Sequence, residues 1–328
     1  MKKIFLMAAG ALMALCSCTK TTAATTEAEN EAVDDSVATV YFIKDITPDN
    51  MMKIYNALGR KADGQNVAVK LSTGEAGNPN HLAPDLIKPL VQSIQGTIVE
   101  CNTAYPGKRC NTAEHLQTAA EHGFTAIAPV DIMDAEGQVS LPVRNGKWLK
   151  EDIVGKDFMD YDFLVVLSHF KGHPMAGFGG ALKNIVIGIA SSEGKANIHS
   201  AGKTTDVNKV WNEVPSDSVF QESMADAASA IIDHVGDKVL YINVANNLSV
   251  DCDCVAHPQP VEMKDLGIFA SLDPVALDRA CVDAVMNADD HGKVHLIERI
   301  NDRKAMHLLE TAEQKGLGTQ KYKLVELK

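Results

Sequence analysis

The chain has 328 residues, 45% hydrophobic and 23% charged, with 43 Asp and Glu against 31 Lys and Arg and a formal net charge of -12. That length suffices for one large domain or for two lobes around a cleft. So acidic a surface excludes nucleic acid and anionic membrane as partners, because both repel it.

Lys2 and Lys3 precede an apolar run from Ile4 to Leu15, which is too short to span a bilayer and has the form of an export signal. It ends in Leu15-Cys16-Ser17-Cys18, which resembles the lipobox of bacterial lipoproteins. Residues 1–17 are therefore expected to be removed, with Cys18 carrying the lipid; an ordinary signal peptide is the other reading. The mature chain is expected in the cell envelope, on the periplasmic or cell-surface side, touching the membrane only through that lipid. Residues 18–36 are rich in Thr, Ala and Glu and bury too little to order themselves, so they read as a flexible tether.

From residue 37 to 328 the pattern is α/β. SVATVYFI (36–43), NVAVKLS (66–72), GTIVEC (96–101), TAIAPV (125–130), DFLVVLS (162–168) and KVLYINV (238–244) are short β-branched runs, most of them separated by segments of helical period. Helices are expected from Thr47-Pro48 through Leu58, over Ala83 to Ile94, over Thr112 to His122, over Ala181 to Ile189, and from Asp273-Pro274 onward. Strands alternating with helices imply a mainly parallel sheet with helices on both faces. EGQVSLPVRNGKWL (136–149) breaks the pattern and reads as a hairpin turning at Asn145-Gly146, a flap or a boundary between two lobes near 131–150.

In a parallel sheet ligands gather where strands end and loops begin. Three such loops carry unusual chemistry: TGEAGNPNHLAP, NTAYPGKRCN and SHFKGHPMAGFGGALKN. Together they would bring Glu75, His81, Tyr105, Lys108, Arg109, His169, Lys171, His173 and Lys183 to one cleft. Gly177, Gly179 and Gly180 remove side chains just before a helix start, which would let backbone amides approach an anion. The stretch is neither a Walker loop nor a dinucleotide fingerprint. Imidazoles at His173 and His199 suit proton transfer or metal binding. Lys183 suits an anion clamp or a covalent anchor.

Outside the cytoplasm Cys101 and Cys110 could form a disulfide. Cys252 and Cys254 are separated by one residue, a poor spacing for pairing, and could instead hold a divalent metal or an iron-sulfur cluster with Cys281 or His257.

GEAGN, AYPGKR, LSHFKGHPMAGFGGALKN, GKANIHS and DLGIFASLDPVALDRAC together resemble the bacterial family known as domain of unknown function 362. Some of its members carry an inserted ferredoxin segment with CxxCxxC runs, which this chain lacks. The run from His173 through Gly179-Gly180 to Lys183 and on to His199 is similar, at a greater distance, to a stretch of the nickel-pincer lactate racemases. That resemblance implies an acid/base role for His173, a cofactor or anion anchor at Lys183, and a metal, nickel or another, on His199. Where that family places a second catalytic histidine this chain offers Tyr105 and Lys108.

Three functions are compatible with these features. The first is an envelope enzyme with a metal- or cofactor-dependent cleft that moves a proton or hydride on a small hydroxy acid-like anion. The second is a non-catalytic metal or iron-sulfur lipoprotein centred on the cysteines, and the third a lipoprotein that captures a small anion unchanged.

Overall fold

The computed structural model of the protein describes residues 37–328. The expected leader, Cys18 and the tether lie outside them. In chain order the described residues form β1 (Ala38–Ile43), α1 (Pro48–Ala57), β2 (Val67–Lys70), α2 (Pro84–Ser93), β3 (Thr97–Glu100), α3 (Thr112–Glu121), β4 (Val130–Ile132), β5 (Gln138–Pro142), β6 (Glu151–Gly155), β7 (Phe163–His169), β8 (Lys171–His173), β9 (Gly177–Gly179), α4 (Ala181–Ile189), α5 (Ser192–His199), α6 (Asp217–Val235), β10 (Val239–Ala245), β11 (Gly267–Ser271), α7 (Pro274–Asn287), α8 (Val294–Asp302), α9 (Met306–Gln314) and β12 (Tyr322–Glu326).

Eight strands make one sheet in the order β12-β1-β11-β10-β7-β2-β3-β4. The run from β10 to β4 is parallel throughout, while β11 lies antiparallel to both β10 and β1. This is the mainly parallel α/β class expected from the sequence. Helix starts follow local chemistry: Thr47 Oγ1 accepts from Asn50 N at 3.2 Å ahead of Pro48, and Asp273 Oδ1 accepts from Val275 N and Ala276 N, each at 2.9 Å. Caps of this kind contribute about 1 kcal/mol each.

Alternation along β7 feeds both faces of the sheet. Phe163, Val165 and Leu167 pack with Met51, Ile54 and Leu90 of α1 and α2, whereas Leu164 and Val166 pack with Ile185, Ala227 and Leu277 of α4, α6 and α7. Each such side chain stabilises the fold by roughly 1.5–3 kcal/mol.

Two expectations shift. TAIAPV is a 3-10 turn over Phe124–Ala126, and β4 starts only at Val130, because Pro129 has no amide to donate to a ladder. The region near 131–150 does not divide the molecule: the described residues fall within one compact unit. β5 pairs with β6 in the expected hairpin, Asn145 takes a positive φ of 55° in its turn, and the ribbon packs on α5 and α6.

The topology also locates a crevice. β2 leads to β3 on one side, while β7 leads to β10 on the other, and the two strands are neighbours. Their crossovers diverge, so a hollow opens beyond the carboxyl ends of β2 and β7.

Candidate active site

A cavity of about 430 Å³ occupies that hollow, lined by Lys70 at the end of β2 and Ser72 just beyond it, Glu100 at the end of β3 and Cys101 just beyond it, and Ser168 and His169 at the end of β7, together with residues of the loops beyond. Of the residues expected to converge, Tyr105, Arg109, His169, Lys171, His173, Lys183, Gly179, Gly180, His199, Cys252 and Cys254 all line it. Lys70, Glu100, Lys195 and Trp211 line it as well, though nothing in the loop motifs singled them out.

The cavity's charge balance is its main feature. Five cations, Lys70, Arg109, Lys171, Lys183 and Lys195, face two carboxylates, Glu100 and Asp253, in a chain whose net charge is -12. Both carboxylates are already committed. Glu100 accepts from Arg109 NH1 at 3.1 Å, His115 Nε2 at 3.2 Å, Thr73 N at 2.9 Å and the Thr73 hydroxyl. Asp253 accepts from His169 Nδ1 at 2.8 Å and Lys171 Nζ at 2.6 Å.

Three lysines are left without a carboxylate among the described residues. Lys70 Nζ donates only to the Leu71 carbonyl at 2.5 Å and Asn184 Oδ1 at 2.9 Å. Lys195 Nζ donates to the carbonyls of Ala190 at 2.5 Å and Cys101 at 3.4 Å. Half-buried Lys183 has no hydrogen-bond partner among the described residues. Burial, followed by repulsion from Lys171 and Lys70, lowers the Lys183 amine to about 7. Burial lowers Lys70 to about 8, with Lys195 adding to the effect. Buried charge without a counter-ion is expensive, and none of these three amines has a carboxylate among the described residues to offset it.

The two histidines present opposite faces to the cavity. His173 Nδ1 accepts from Met175 N at 3.1 Å and Ala176 N at 2.9 Å, so its proton sits on Nε2. Adding a second proton would set Nδ1–H against two amides. Burial and then Lys183 hold its pKa well below the usual value. His173 is thus a neutral hydrogen-bond donor and cannot serve as the proton-accepting base that its sequence position suggested. His199 is the reverse: its Nδ1 donates to the Lys195 carbonyl at 2.7 Å, and burial lowers it to about 4. Its Nε2 therefore bears a lone pair. Trp211 and Phe220, with ring centroids at 5.6 and 5.0 Å, fix the ring.

Several expected roles are corrected. Lys108 points away, pairing with Glu114 at 2.7 Å on the exposed side of its loop, while its amide donates to Glu75 Oε1 at 2.8 Å. Tyr105 stays at the cavity wall, where its hydroxyl accepts from Arg109 NH2 at 3.0 Å. His81 stacks on His122 with centroids 4.1 Å apart and does not line the cavity. His169 has both ring nitrogens on acceptors, Asp253 and the Asn246 carbonyl at 2.6 Å, so it braces the loop. Gly177, at φ +82°, makes room for Ala305 rather than for a ligand. The α4 N-terminus is not a vacant anion site, because Asp278 accepts from Ala181 N at 2.7 Å and Leu182 N at 3.0 Å. Gly180 is needed there because a Cβ would overlap that carboxylate.

The cysteines also depart from expectation. Cys101 is buried and free, donating to the Ile189 carbonyl at 3.2 Å, and Cys110 is exposed and free. Cys281 lies buried on α7 beside Asn243. Cys252 and Cys254 are bonded to each other. A cysteine-ligated iron-sulfur cluster needs several convergent thiolates, and the described cysteines do not supply them. One group of side chains could hold a metal ion: the ligand atoms of His173, Cys252 and Cys254 lie within 4.8 Å of one another. As bonded, those sulfurs are not thiolates and His173 Nε2 carries its proton, so a metal fits only after reduction and a tautomer change.

The family described as Domain of unknown function (DUF362) matches residues 67–283, a span holding every lining residue named above. The chain belongs to that family. Among solved structures, this DUF362 chain is similar to the lactate racemase apoprotein from Thermoanaerobacterium thermosaccharolyticum, with 16% identity over 77% of this chain and 58% of that one, at a TM-score of 0.45. It is similar also to a protein from Thermotoga maritima, with 14% identity over 73% of this chain and 58% of that one, again at 0.45. The DUF362 chain thus spans little more than half the length of either. No curated relative matches the sequence.

Proposed function

We propose that this DUF362 protein is an enzyme that moves a proton on a small carboxylate, anchored in the cell envelope through Cys18. The observation that carries this reading is the set of three amines, Lys70, Lys183 and Lys195, that have no carboxylate partner among the described residues and line one cavity. Lys70 and Lys195, fixed by carbonyl and amide oxygens, hold the substrate's charge. Burial and the neighbouring cations lower Lys183 to about 7, towards the range where a general base is most effective at physiological pH. Lys183 takes the proton from the carbon beside the carboxylate. His173 Nε2–H donates to the oxygen on which charge develops, a role for which a neutral, rigidly held imidazole is suited. His199, through its Nε2 lone pair, is the second proton acceptor.

A covalently held cofactor with a metal is compatible with the same wall. Lys183 offers the free amine that an anchor needs, and His199 has the carbonyl-backed Nδ1–H that orients a metal-binding imidazole. Such a group would supply an electrophilic, hydride-accepting centre. The mass of the Lys183 peptide from protein isolated from its native envelope reports whether one is attached.

The test uses that native protein in D₂O with a panel of 2-hydroxy and 2-oxo acids, read by proton NMR. Deuterium appearing at the carbon beside the carboxylate of at least one acid is the expected result. Full retention of that proton across the panel removes the catalytic reading and leaves anion capture.

A further inference from the structure

The Cys252–Cys254 disulfide closes a loop of sequence separation 2. A cross-link acts on stability by constraining the unfolded chain, and its effect shrinks with the loop it closes. This one restrains almost nothing, so its value lies in its chemistry.

Its setting points the same way. The intervening residue, Asp253, is bolted to His169 and Lys171, while both cysteines line the cavity. Cys252 is only 2% exposed. Cys254 is partly open and also borders a shallow outer depression beside Glu75 and Tyr105. The Cys254 amide donates to Cys252 Sγ at 3.3 Å, and His173 Nε2–H lies 3.9 Å from Cys254 Sγ.

We infer that the Cys252–Cys254 pair is a redox-active disulfide that exchanges two electrons with a small anionic thiol admitted by the cationic cavity. The thiolate attacks the accessible sulfur of Cys254 and forms a mixed disulfide there. The Cys254–Cys252 bond breaks and Cys252 leaves as a thiolate, steadied by the Cys254 amide, then takes a proton from solvent. A second thiol attacks the mixed disulfide, releasing the oxidised small disulfide and the Cys254 thiol. Two thiols have lost one electron each, and the protein pair has gained two. Enclosure of Cys252 favours a small thiol over the rigid active site of a folded oxidoreductase.

The test exposes the mature chain to mercaptoacetate, 2-mercaptoethanol or cysteamine at equal thiolate concentration, traps with iodoacetamide and follows the Cys252/Cys254 peptide by mass spectrometry. Mercaptoacetate is expected to reduce the pair at least about tenfold faster than the neutral thiol, the scale of electrostatic steering into a charged cleft, with cysteamine slowest. A Cys252→Ser chain should take up one mercaptoacetate equivalent on Cys254 from the corresponding disulfide. Equal rates with all three thiols, reduction only after unfolding, or reduction only by a protein dithiol each overturns the inference. Mercaptoacetate has C–H bonds beside its carboxylate, but the readout is the redox state of the Cys252/Cys254 peptide, which proton exchange at that carbon does not change, so the outcome is independent of the proton-transfer reading.

Discussion

Asp253→Asn is expected to destabilise the protein by about 3–5 kcal/mol at neutral pH, the range seen when one partner of a buried ion pair is removed. Asp253 is 2% exposed and is the only carboxylate that His169 and Lys171 share among the described residues. Without its charge the Lys171 ammonium is left in the wall with only the His169 carbonyl at 3.0 Å. The Glu75 amide, which donates to the Asp253 carbonyl at 2.7 Å, couples the damage to the neighbouring loop. Burial alone would raise the Asp253 carboxyl, but His169 and Lys171 hold it well below the usual carboxylate range. A depressed folded value means that this stability is fully present above the unfolded pKa of about 3.9 and is lost as pH falls below it. Urea unfolding at pH 7 and pH 3.5 reads both effects. The wild type should lose stability on acidification and the variant should lose less. A variant within 0.5 kcal/mol of wild type at pH 7, to use the scatter of neutral surface changes as the measure, would show that the network does not hold the loop.

Lys183→Met should lower proton exchange by roughly 10²- to 10⁴-fold, the usual share of a general base, while the fold is unchanged. The methionine matches the stem's length and removes only the amine. Because Lys70 and Lys195 keep their charges, the loss should fall mainly on kcat, with KM changed far less. Lys183→Arg separates charge from proton transfer: guanidinium restores the field but does not deprotonate, so it should bind substrate and still fail to turn it over. Comparable turnover by wild type and the Met variant would take Lys183 out of the chemistry and leave His199 as the base.

The sheet was legible because its strands are nearly continuous apolar runs, as strands buried on both faces must be. DFLVVLS could hardly be anything else. β11 was harder to see, since GIFAS is short and mixed. Loops were legible through composition, and this brought Arg109, Lys171, His173, Lys183 and His199 to one cavity. Orientation was not legible. Lys108 and Arg109 are adjacent in sequence, yet one is solvated and the other buried against Glu100. The tautomers of His173 and His199 depend on which backbone groups meet each Nδ1, and no spacing reveals that. Lys70 and Lys195 had a readable signal that loop motifs obscure: a lysine inside the otherwise apolar part of the strand run NVAVKLS, and another on a helix whose 194–199 stretch is buried throughout.

The proposal that the cavity takes up an anion is most directly tested by calorimetric titration of the protein with small carboxylates and with their neutral amides, at pH 6 and pH 9. The charges that hold the anion are on Lys70, which burial lowers to about 8, and on Lys195, which burial also lowers. Both are raised again by a bound carboxylate, so binding should take up protons and weaken as pH rises through that window. Carboxylates that bind at pH 6, lose at least about tenfold in affinity by pH 9 as one cation is discharged, and far outbind their amides are the predicted result. Equal affinity for acid and amide, independent of pH, would contradict it.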